Sequence, residues 1–182
     1  YDFSDLWVDS FVQIRSLDGV DIFWVIDPSG SMFDDQPAIL AGIQLMMSSL
    51  PAVGWRLMII PSDYREVTNL TSFPIVPGDT IADVEAMYND HVNGNYEAGF
   101  DAVIEYIDFN QYANTWLRDD AALLIVFVSD ENDQSREHVA NEFEFINWAL
   151  MQRSHTFVAS IINLPNDVSE CTSNVPMQNV GE

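Results

Sequence analysis

Four short apolar runs, separated by segments with helical periodicity, constrain the fold of this chain more than any other feature. The runs cover residues 21–26, 55–60, 122–130 and 155–162. A continuous apolar run of this length is typical of a strand that is buried on both faces of a sheet. Because these runs alternate with amphipathic segments, the sequence predicts an α/β fold with a doubly wound, mostly parallel central sheet flanked by helices.

Segments with helical periodicity lie between the predicted strands. They cover residues 36–50, 79–92 and 97–107, and a last one starts near residue 135. The last helix is expected to have one apolar face, formed by Val139, Phe143, Ile146 and Leu150. The stretch 64–78 contains two prolines and is expected to be irregular or to lie at a sheet edge.

The chain is strongly acidic, with 29 acidic and 6 basic residues among 182 and a formal net charge of −23. All of the basic residues are arginines, so mechanisms that need a lysine, such as Schiff-base formation, are excluded. A surface of this charge repels phosphate backbones and anionic lipids, and it attracts cations. We therefore expect no nucleic-acid partner. We also expect no membrane insertion, because no apolar run reaches the roughly 18 residues of a membrane span.

The length of 182 residues and the 48% hydrophobic content suit a single domain spanning residues 1–182. We expect an N-terminal extension over residues 1–19, a core over 20–164 and a polar tail over 165–182. The only cysteine, Cys171, is either a free thiol or pairs with a cysteine on another chain or beyond Glu182. A chain that starts at Tyr1 rather than at a methionine is expected to be processed or trimmed.

Oxygen-bearing side chains follow the first apolar run. Asp27, Ser29 and Ser31 occupy alternate positions, so an extended loop can direct their oxygens to one point, and Gly30 lets the backbone turn between the serines. Asp130 follows another apolar run, and ligands of parallel sheets lie beyond the carboxyl ends of the strands. Such oxygens suit a small hard cation such as Mg²⁺, which Asp130 binds directly or through a water. The alternative is an ordinary turn and helix cap.

Two of these segments resemble a known family. VDIFWVIDPSGSM resembles the first strand and the D-x-S-x-S-M loop of von Willebrand factor A domains, and LLIVFVSDEND resembles a later strand of that family. The resemblance covers about residues 20–164. The segments EAGFDAV and WLRDDAALLIVFVSDENDQS are, more narrowly, similar to a bacterial secreted or lipid-anchored subgroup. The resemblance implies a Rossmann-like fold with a metal ion-dependent adhesion site.

The family site, carried over to this sequence, implies a metal loop and a distal carboxylate. These are Asp27, Ser29 and Ser31 for the loop, and Asp130 for the distal carboxylate. The family also has a threonine ligand before its third helix, and alignment of the loop NGNYEAGF on Gly99 puts Tyr96 at that position. A phenol is a poorer cation ligand than an aliphatic hydroxyl. Glu97 is therefore the expected substitute, with Asn95 or a water as alternatives.

The resemblance implies a binding module that is not an enzyme. A divalent cation, Mg²⁺ or alternatively Mn²⁺ or Ca²⁺, would be completed by an acidic residue of a protein partner. The expected role is protein–protein adhesion or assembly. The expected place is the cell surface or the extracellular space, with the periplasm or a virion as alternatives.

Two rival functions stay open. A Mg²⁺-dependent phosphatase-like hydrolase would need a second aspartate as a proton donor where this chain has Ser29. A structural domain with a degenerate, empty metal site would need none of these groups to bind an ion. A serine hydrolase is not supported, because the G-x-S-x-G motif is absent and no histidine is placed to serve Ser29 or Ser31.

Overall fold

Four parallel strands form the centre of the structure, a computed structural model that describes residues 19–162. The strands are β1 (Val20–Ile26), β2 (Trp55–Pro61), β3 (Ala122–Val128) and β4 (Thr156–Ile161). They are arranged in the order β2-β1-β3-β4, and each pair of neighbours is parallel. The predicted α/β class with a doubly wound parallel sheet is confirmed, and each of the four apolar runs forms a strand.

Helices connect the strands within the described residues. They are α1 (Gln36–Ser49), α2 (Tyr64–Val67), α3 (Ile81–His91), α4 (Gly99–Phe109), α5 (Ala113–Trp116) and α6 (Glu142–Gln152). A short 3₁₀ helix, Gly30–Asp35, precedes α1. Three of the four predicted helices are thus present close to their predicted ranges, as α1, α3 and α4. None of the helices in residues 19–162 is long and apolar enough to cross a bilayer.

Alternate residues of the strands pack against helices on opposite faces of the sheet. Phe23 of β1 contacts Tyr106 of α4, and Phe127 of β3 contacts Phe145 of α6, each pair with ring centroids 5.5 Å apart. Trp24, the next residue along β1, is buried on the other face against α1. The two inner strands, β1 and β3, are therefore covered on both faces, as their continuous apolar sequences require.

The helix predicted to start near Ser135 begins at Glu142 instead, so the predicted start is wrong. Residues 136–139 are not helical because their backbone amides donate hydrogen bonds to the carboxylate of Asp101 on α4. The side chain of Asn141 then accepts a hydrogen bond from the amide of Glu144 and caps the real helix. A tertiary contact thus delays the helix by about two turns.

The predicted apolar face of this helix is also wrong. Its predicted members on α6, namely Phe143, Ile146 and Leu150, are exposed. The buried side chains are those of Phe145 and Ala149, and the Phe145 ring stacks on Phe100 at 4.5 Å between centroids. Because α6 has apolar residues on two faces, helical periodicity alone could not show which face packs on the sheet.

The amino ends of the strands are closed by a buried ion pair between Asp21 and Arg118. The Asp21 carboxylate is 1% exposed and accepts hydrogen bonds from the Arg118 backbone amide at 2.8 Å and from its guanidinium at 2.6 and 2.9 Å. Charge-assisted bonds of this kind offset the cost of removing a carboxylate from water. The first residue of β1 to carry a charge is therefore neutralised within the fold.

Strand β4 lies at the edge of the sheet and is largely exposed. Phe157, Val158 and Ile161 keep between 42 and 57% of their surfaces in contact with solvent. The predicted N-terminal extension, the polar tail and Cys171 lie outside the described residues, apart from Gly19 at the end of the extension.

Candidate metal centre

Asp27 and Asp130 lie at the same edge of the sheet, beyond the carboxyl ends of two neighbouring strands. Asp27 directly follows β1, and its backbone amide donates to the carbonyl of Val128, the last residue of β3, at 2.9 Å. Asp130 is the second residue after β3. The structure therefore brings together two carboxylates that are about a hundred residues apart in the chain.

The two serines of the loop link these aspartates. Ser29 donates its backbone amide to Asp27 Oδ1 at 2.8 Å, and its hydroxyl lies 3.0 Å from the hydroxyl of Ser31. The Ser31 hydroxyl donates to Asp130 Oδ1 at 3.0 Å. The alternate residues of the loop thus direct their side chains inward, and four of the five predicted ligands form one hydrogen-bonded cluster.

Ser129 is a further member of this cluster that the sequence reasoning missed. Its hydroxyl donates to Asp27 Oδ2 at 2.7 Å and accepts a hydrogen bond from the backbone amide of Glu131 at 3.0 Å. The residue therefore orients the Asp27 carboxylate and ties it to the loop after β3. Its position directly before Asp130, at the end of a buried strand, was a signal that could have identified it.

Glu97 lies near the cluster but is hydrogen-bonded elsewhere. Its carboxylate accepts a hydrogen bond from the side-chain amide of Gln134, and its backbone carbonyl accepts one from the Gln134 amide. Burial, together with the negative charges of Asp27 and Glu131, raises the pKa of Glu97 to about 7. The predicted fifth ligand is thus close enough to interact with the cluster electrostatically, while Gln134 holds its oxygen.

Tyr96 and Asn95 are hydrogen-bonded to groups outside the cluster. The Tyr96 hydroxyl donates to the carbonyl of Gln134 at 3.4 Å, and the Arg65 guanidinium lies 5.1 Å from the centre of its ring. Asn95 donates its backbone amide to Asp63 at 3.2 Å, and its side-chain oxygen accepts from Arg65 at 3.4 Å. In the structure, neither residue supplies the oxygen that a threonine would supply at this position.

The cluster has an excess of negative charge. Burial, and then the charges of Asp27 and Glu131, raise the pKa of Asp130, while the hydrogen bond from Ser31 acts in the opposite direction. Asp27 is completely buried. Within residues 19–162, no arginine or histidine forms an ion pair with Asp27, Asp130 or Glu97. The described part of the chain therefore collects carboxylates here without supplying a counter-charge.

The donor set fits a hard divalent cation that retains open coordination positions. Two carboxylates and two hydroxyls are oxygen ligands of the kind that Mg²⁺ and Ca²⁺ prefer, with waters completing the shell. Across residues 19–162, no group of three or more acidic, histidine or cysteine side chains is arranged to hold a metal. A cation here would therefore depend on Ser29 and Ser31 as well as on the aspartates.

Asp101, in the first turn of α4, holds the loop that follows Asp130. Its carboxylate accepts hydrogen bonds from the backbone amides of residues 136–139, at distances between 2.7 and 3.4 Å. Nearby, Asp133 accepts from the amides of Ser135 at 2.9 Å and Phe100 at 3.3 Å. These contacts fix the loop against α4, although an aspartate in a helical segment gives no sequence signal for such a role.

Comparison with known proteins does not assign the chain to a family. No protein-family model matches the sequence, and no curated protein matches it. The geometry around Asp27 and Asp130 is therefore the observation from which a function has to be argued.

Proposed function

We propose that the chain is a metal-dependent binding module. A divalent cation, with Mg²⁺ as the first choice, would be held by Asp27, Ser29, Ser31 and Asp130, directly or through water. An acidic side chain of a protein partner would complete its coordination. The resemblance of the loop to von Willebrand factor A domains supports adhesion or assembly as the role, and the secreted subgroup supports a place at the cell surface or outside the cell.

The observation that carries this proposal is a contrast between Asp21 and Asp27. Both are buried aspartates, one near the start of β1 and the other just after its end. Asp21 is neutralised by Arg118, whereas Asp27 receives one backbone amide and one hydroxyl, from Ser29 and Ser129. A buried carboxylate without a counter-charge is strongly unfavourable, so a bound cation is the simplest compensation.

Other buried aspartates in the described residues follow the pattern of Asp21. Asp63 has the guanidinium of Arg65 within 2.6 Å. Asp101 accepts four backbone amides, which together supply a strong positive potential. Asp27 differs because Asp130 and Glu97, with which it interacts electrostatically, are also acidic. Among these aspartates, all within residues 19–162, the buried carboxylates are therefore compensated except at the edge where a cation would bind.

The ligand set favours binding over catalysis. The hydroxyls of Ser29 and Ser31 add no negative charge, so a cation that binds Asp27 directly and Asp130 through a water would keep part of its charge for a carboxylate from a partner. A phosphatase-like reaction would need a proton donor for the leaving group, and the residue two positions after Asp27 is Ser29. The histidines hydrogen-bond elsewhere: His91 to Ile59 and Ser72, His138 to Glu105, and His155 to Ser154. The histidines are therefore not placed to serve as that acid, and the carboxyl of Glu97, whose pKa is about 7, is held by Gln134.

Metal titration of two matched variants tests the proposal. Asp27→Asn and Asp21→Asn each remove one buried charge from an end of β1 with little change in shape. In chelator-treated buffer, Asp21→Asn should lower Tm because Arg118 loses its charged partner, whereas Asp27→Asn should leave Tm unchanged or raise it. Added Mg²⁺ should raise the Tm of the wild type and of Asp21→Asn by about 5–10 °C at about 100 times Kd, and should leave Asp27→Asn unchanged.

Two results would contradict the binding function. If Mg²⁺, Mn²⁺ and Ca²⁺ all fail to shift the Tm of the wild type and give no heat of binding, a structural domain with an empty site is the better description. If the chain hydrolyses phosphate esters in a reaction that requires both Mg²⁺ and Asp27, the hydrolase alternative is correct.

A further inference from the structure

An open groove begins at the metal loop and runs toward the carboxyl end of α3. Its volume is about 170 Å³, and Asp27 and Ser29 line the end that adjoins the candidate metal centre. The apolar part of the lining consists of Pro28, Met32, Phe33, Tyr88 and Val92. A ligand that reaches the cation from this side would therefore also contact an apolar surface.

Phe33 is the most unusual residue of this groove. It lies in the 3₁₀ helix just two residues after Ser31, and its side chain is 79% exposed. By contrast, the neighbouring Met32 and Tyr88 are buried and form the inner wall of the groove. A phenyl ring in water beside a buried apolar wall offers surface that a partner side chain can cover, which is favourable in proportion to the area removed from water.

The polar groups along the groove are largely satisfied within the protein. Gln36 Nε2 donates to Asn89 Oδ1 at 3.0 Å, which joins the start of α1 to α3 across the groove. Asp27 and Ser29 are held in the hydrogen-bonded cluster at its other end. The groove is therefore suited to an apolar group, and the only strong site for an anion would be the cation itself.

The rim of the groove has the opposite charge from the proposed cation. Asp34 and Asp35 are exposed next to Phe33, and Asp90 is exposed at the end of α3. With a net charge of −23 on the whole chain, a partner segment with several acidic residues would be repelled. A ligand that fits has one carboxylate for the cation and otherwise neutral or basic residues around it.

We propose that the partner's recognition segment is a short peptide stretch in which a single carboxylate is adjacent to a large apolar side chain. The carboxylate would bind the cation, and the apolar side chain would fill the groove between Phe33, Tyr88 and Val92. The inference rests on the proposed metal-dependent binding function and specifies the chemistry of its partner.

Three pairs of capped hexapeptides test the inference on the full 182-residue chain. Each peptide has two central residues between neutral flanks. These residues are Glu and Phe in the first pair of peptides, Glu and Ala in the second, and Gln and Phe in the third, and the two peptides of a pair differ in the order of the two residues. Binding is measured by calorimetry in saturating Mg²⁺ and again in EDTA. We expect a Glu–Phe peptide to bind about tenfold more tightly than its Glu–Ala counterpart, a ratio expected from the burial of part of a phenyl ring. Gln–Phe peptides, and all peptides in EDTA, should not bind detectably.

Variants of exposed phenylalanines separate the groove from general stickiness. Phe33→Ala should reduce the Glu–Phe preference to less than about twofold, and Phe33→Leu should retain most of it. Phe73→Ala is the matched control, because Phe73 is 61% exposed and does not line the groove. The Mg²⁺ affinity of every variant is measured separately, so that peptide binding is compared at equal metal occupancy.

The possible failures are distinguishable. Equal affinities for Glu–Phe and Glu–Ala peptides would overturn the groove inference and leave the metal-dependent function in place. Bound Mg²⁺ without binding of any Glu peptide would overturn both. Binding of Gln–Phe peptides in EDTA would show a metal-independent apolar site and would also contradict a ligand shared between the cation and the groove.

Discussion

The hydroxyl of Ser31 donates to Asp130 Oδ1 at 3.0 Å and so joins the loops after β1 and β3 across 99 positions of sequence. The bond spans the place where the cation is proposed to bind. A cation would compete for both oxygens, since each can serve as a ligand. The hydrogen bond therefore holds the two loops near their binding geometry before the metal arrives.

The first prediction concerns Ser31→Ala. Removal of the hydroxyl deletes one metal ligand and one link between the loops, so Mg²⁺ affinity should fall at least about tenfold, whereas the free energy of unfolding without metal should fall by only about 0.5–1.5 kcal/mol. Calorimetric titration and urea unfolding measure the two effects. Ser48→Ala is the control, because its exposed hydroxyl bonds only to the carbonyl of Leu45. Unchanged Mg²⁺ affinity in Ser31→Ala would remove this serine from the site.

The second prediction tests whether the negative charge of Glu97 contributes to Mg²⁺ binding. At pH 8, above the Glu97 pKa of about 7, replacement by glutamine removes one negative charge near Asp27 and Asp130, so Mg²⁺ should bind more weakly, by about three- to tenfold. At saturating Mg²⁺, however, the Glu-containing peptides should bind more tightly, because the cation is then less neutralised by the protein. Glu85→Gln, at an exposed position of α3, is the control for the change in net charge. A parallel loss of metal and peptide affinity would contradict this role.

The third prediction uses two glycines with positive φ angles. Gly94 has a φ of 113°, and a Cβ there would lie 2.6 Å from the Asp63 side chain, whereas Gly78 has a φ of 108° and open space around it. Gly78→Ala should therefore cost about 1 kcal/mol for backbone strain alone. Gly94→Ala should cost more, by about 1–3 kcal/mol, because Asp63 must also move. Equal losses in urea unfolding would show that the Gly94 contact is not restrictive.

The fourth prediction is a pH dependence of stability that arises from Asp63. Burial acts to raise the pKa of this carboxyl, but hydrogen bonds from the Arg65 side chain and from the Asn95 and Arg65 amides hold it below its usual value. Since the folded-state pKa is the lower one, ionised Asp63 stabilises the fold above about pH 4, and this contribution is lost as the pH falls through the folded-state pKa.

Asp63→Asn measures that contribution. The variant should be less stable than the wild type by about 1–2 kcal/mol at pH 7, a modest value because half of the Arg65 side chain is exposed. The difference should shrink as both proteins are unfolded in urea at pH values below about 4. Asp79→Asn is a surface control, since its carboxylate accepts a single exposed amide of Val76. A difference that stays constant from pH 7 to pH 3 would contradict the pKa shift.

The strands and the shared edge could be predicted because they depend on local patterns. A buried parallel strand needs a continuous apolar run, and the residue after such a run must lie at the carboxyl edge of the sheet. Asp27 and Asp130 follow from this rule alone. The start of α6 did not follow, because it depends on Asp101, whose bonds to residues 136–139 exist only in three dimensions.

Side-chain directions at the site were predictable only in part. The alternation of Asp27, Ser29 and Ser31 predicts converging side chains in an extended loop, whereas Ser31 lies in the 3₁₀ helix and its hydroxyl contacts that of Ser29 at 3.0 Å. The loop before α4 offers several oxygens at similar spacing, and the choice among them depends on partners from distant loops. Gln134 bonds to Glu97 and accepts from Tyr96, and no local pattern marks Gln134 for that role.

The anchoring of residues 136–139 on Asp101 also affects how the site can move. The segment before α4 bonds to Gln134, and the first turn of α4 bonds to the loop after β3. The segment before α4 and the loop after β3, which both flank the candidate metal centre, are thus attached to one helix. A displacement of α4 along its axis would carry both segments together. A partner that moves either segment would therefore shift the helix as a rigid unit and would not rearrange the two loops independently.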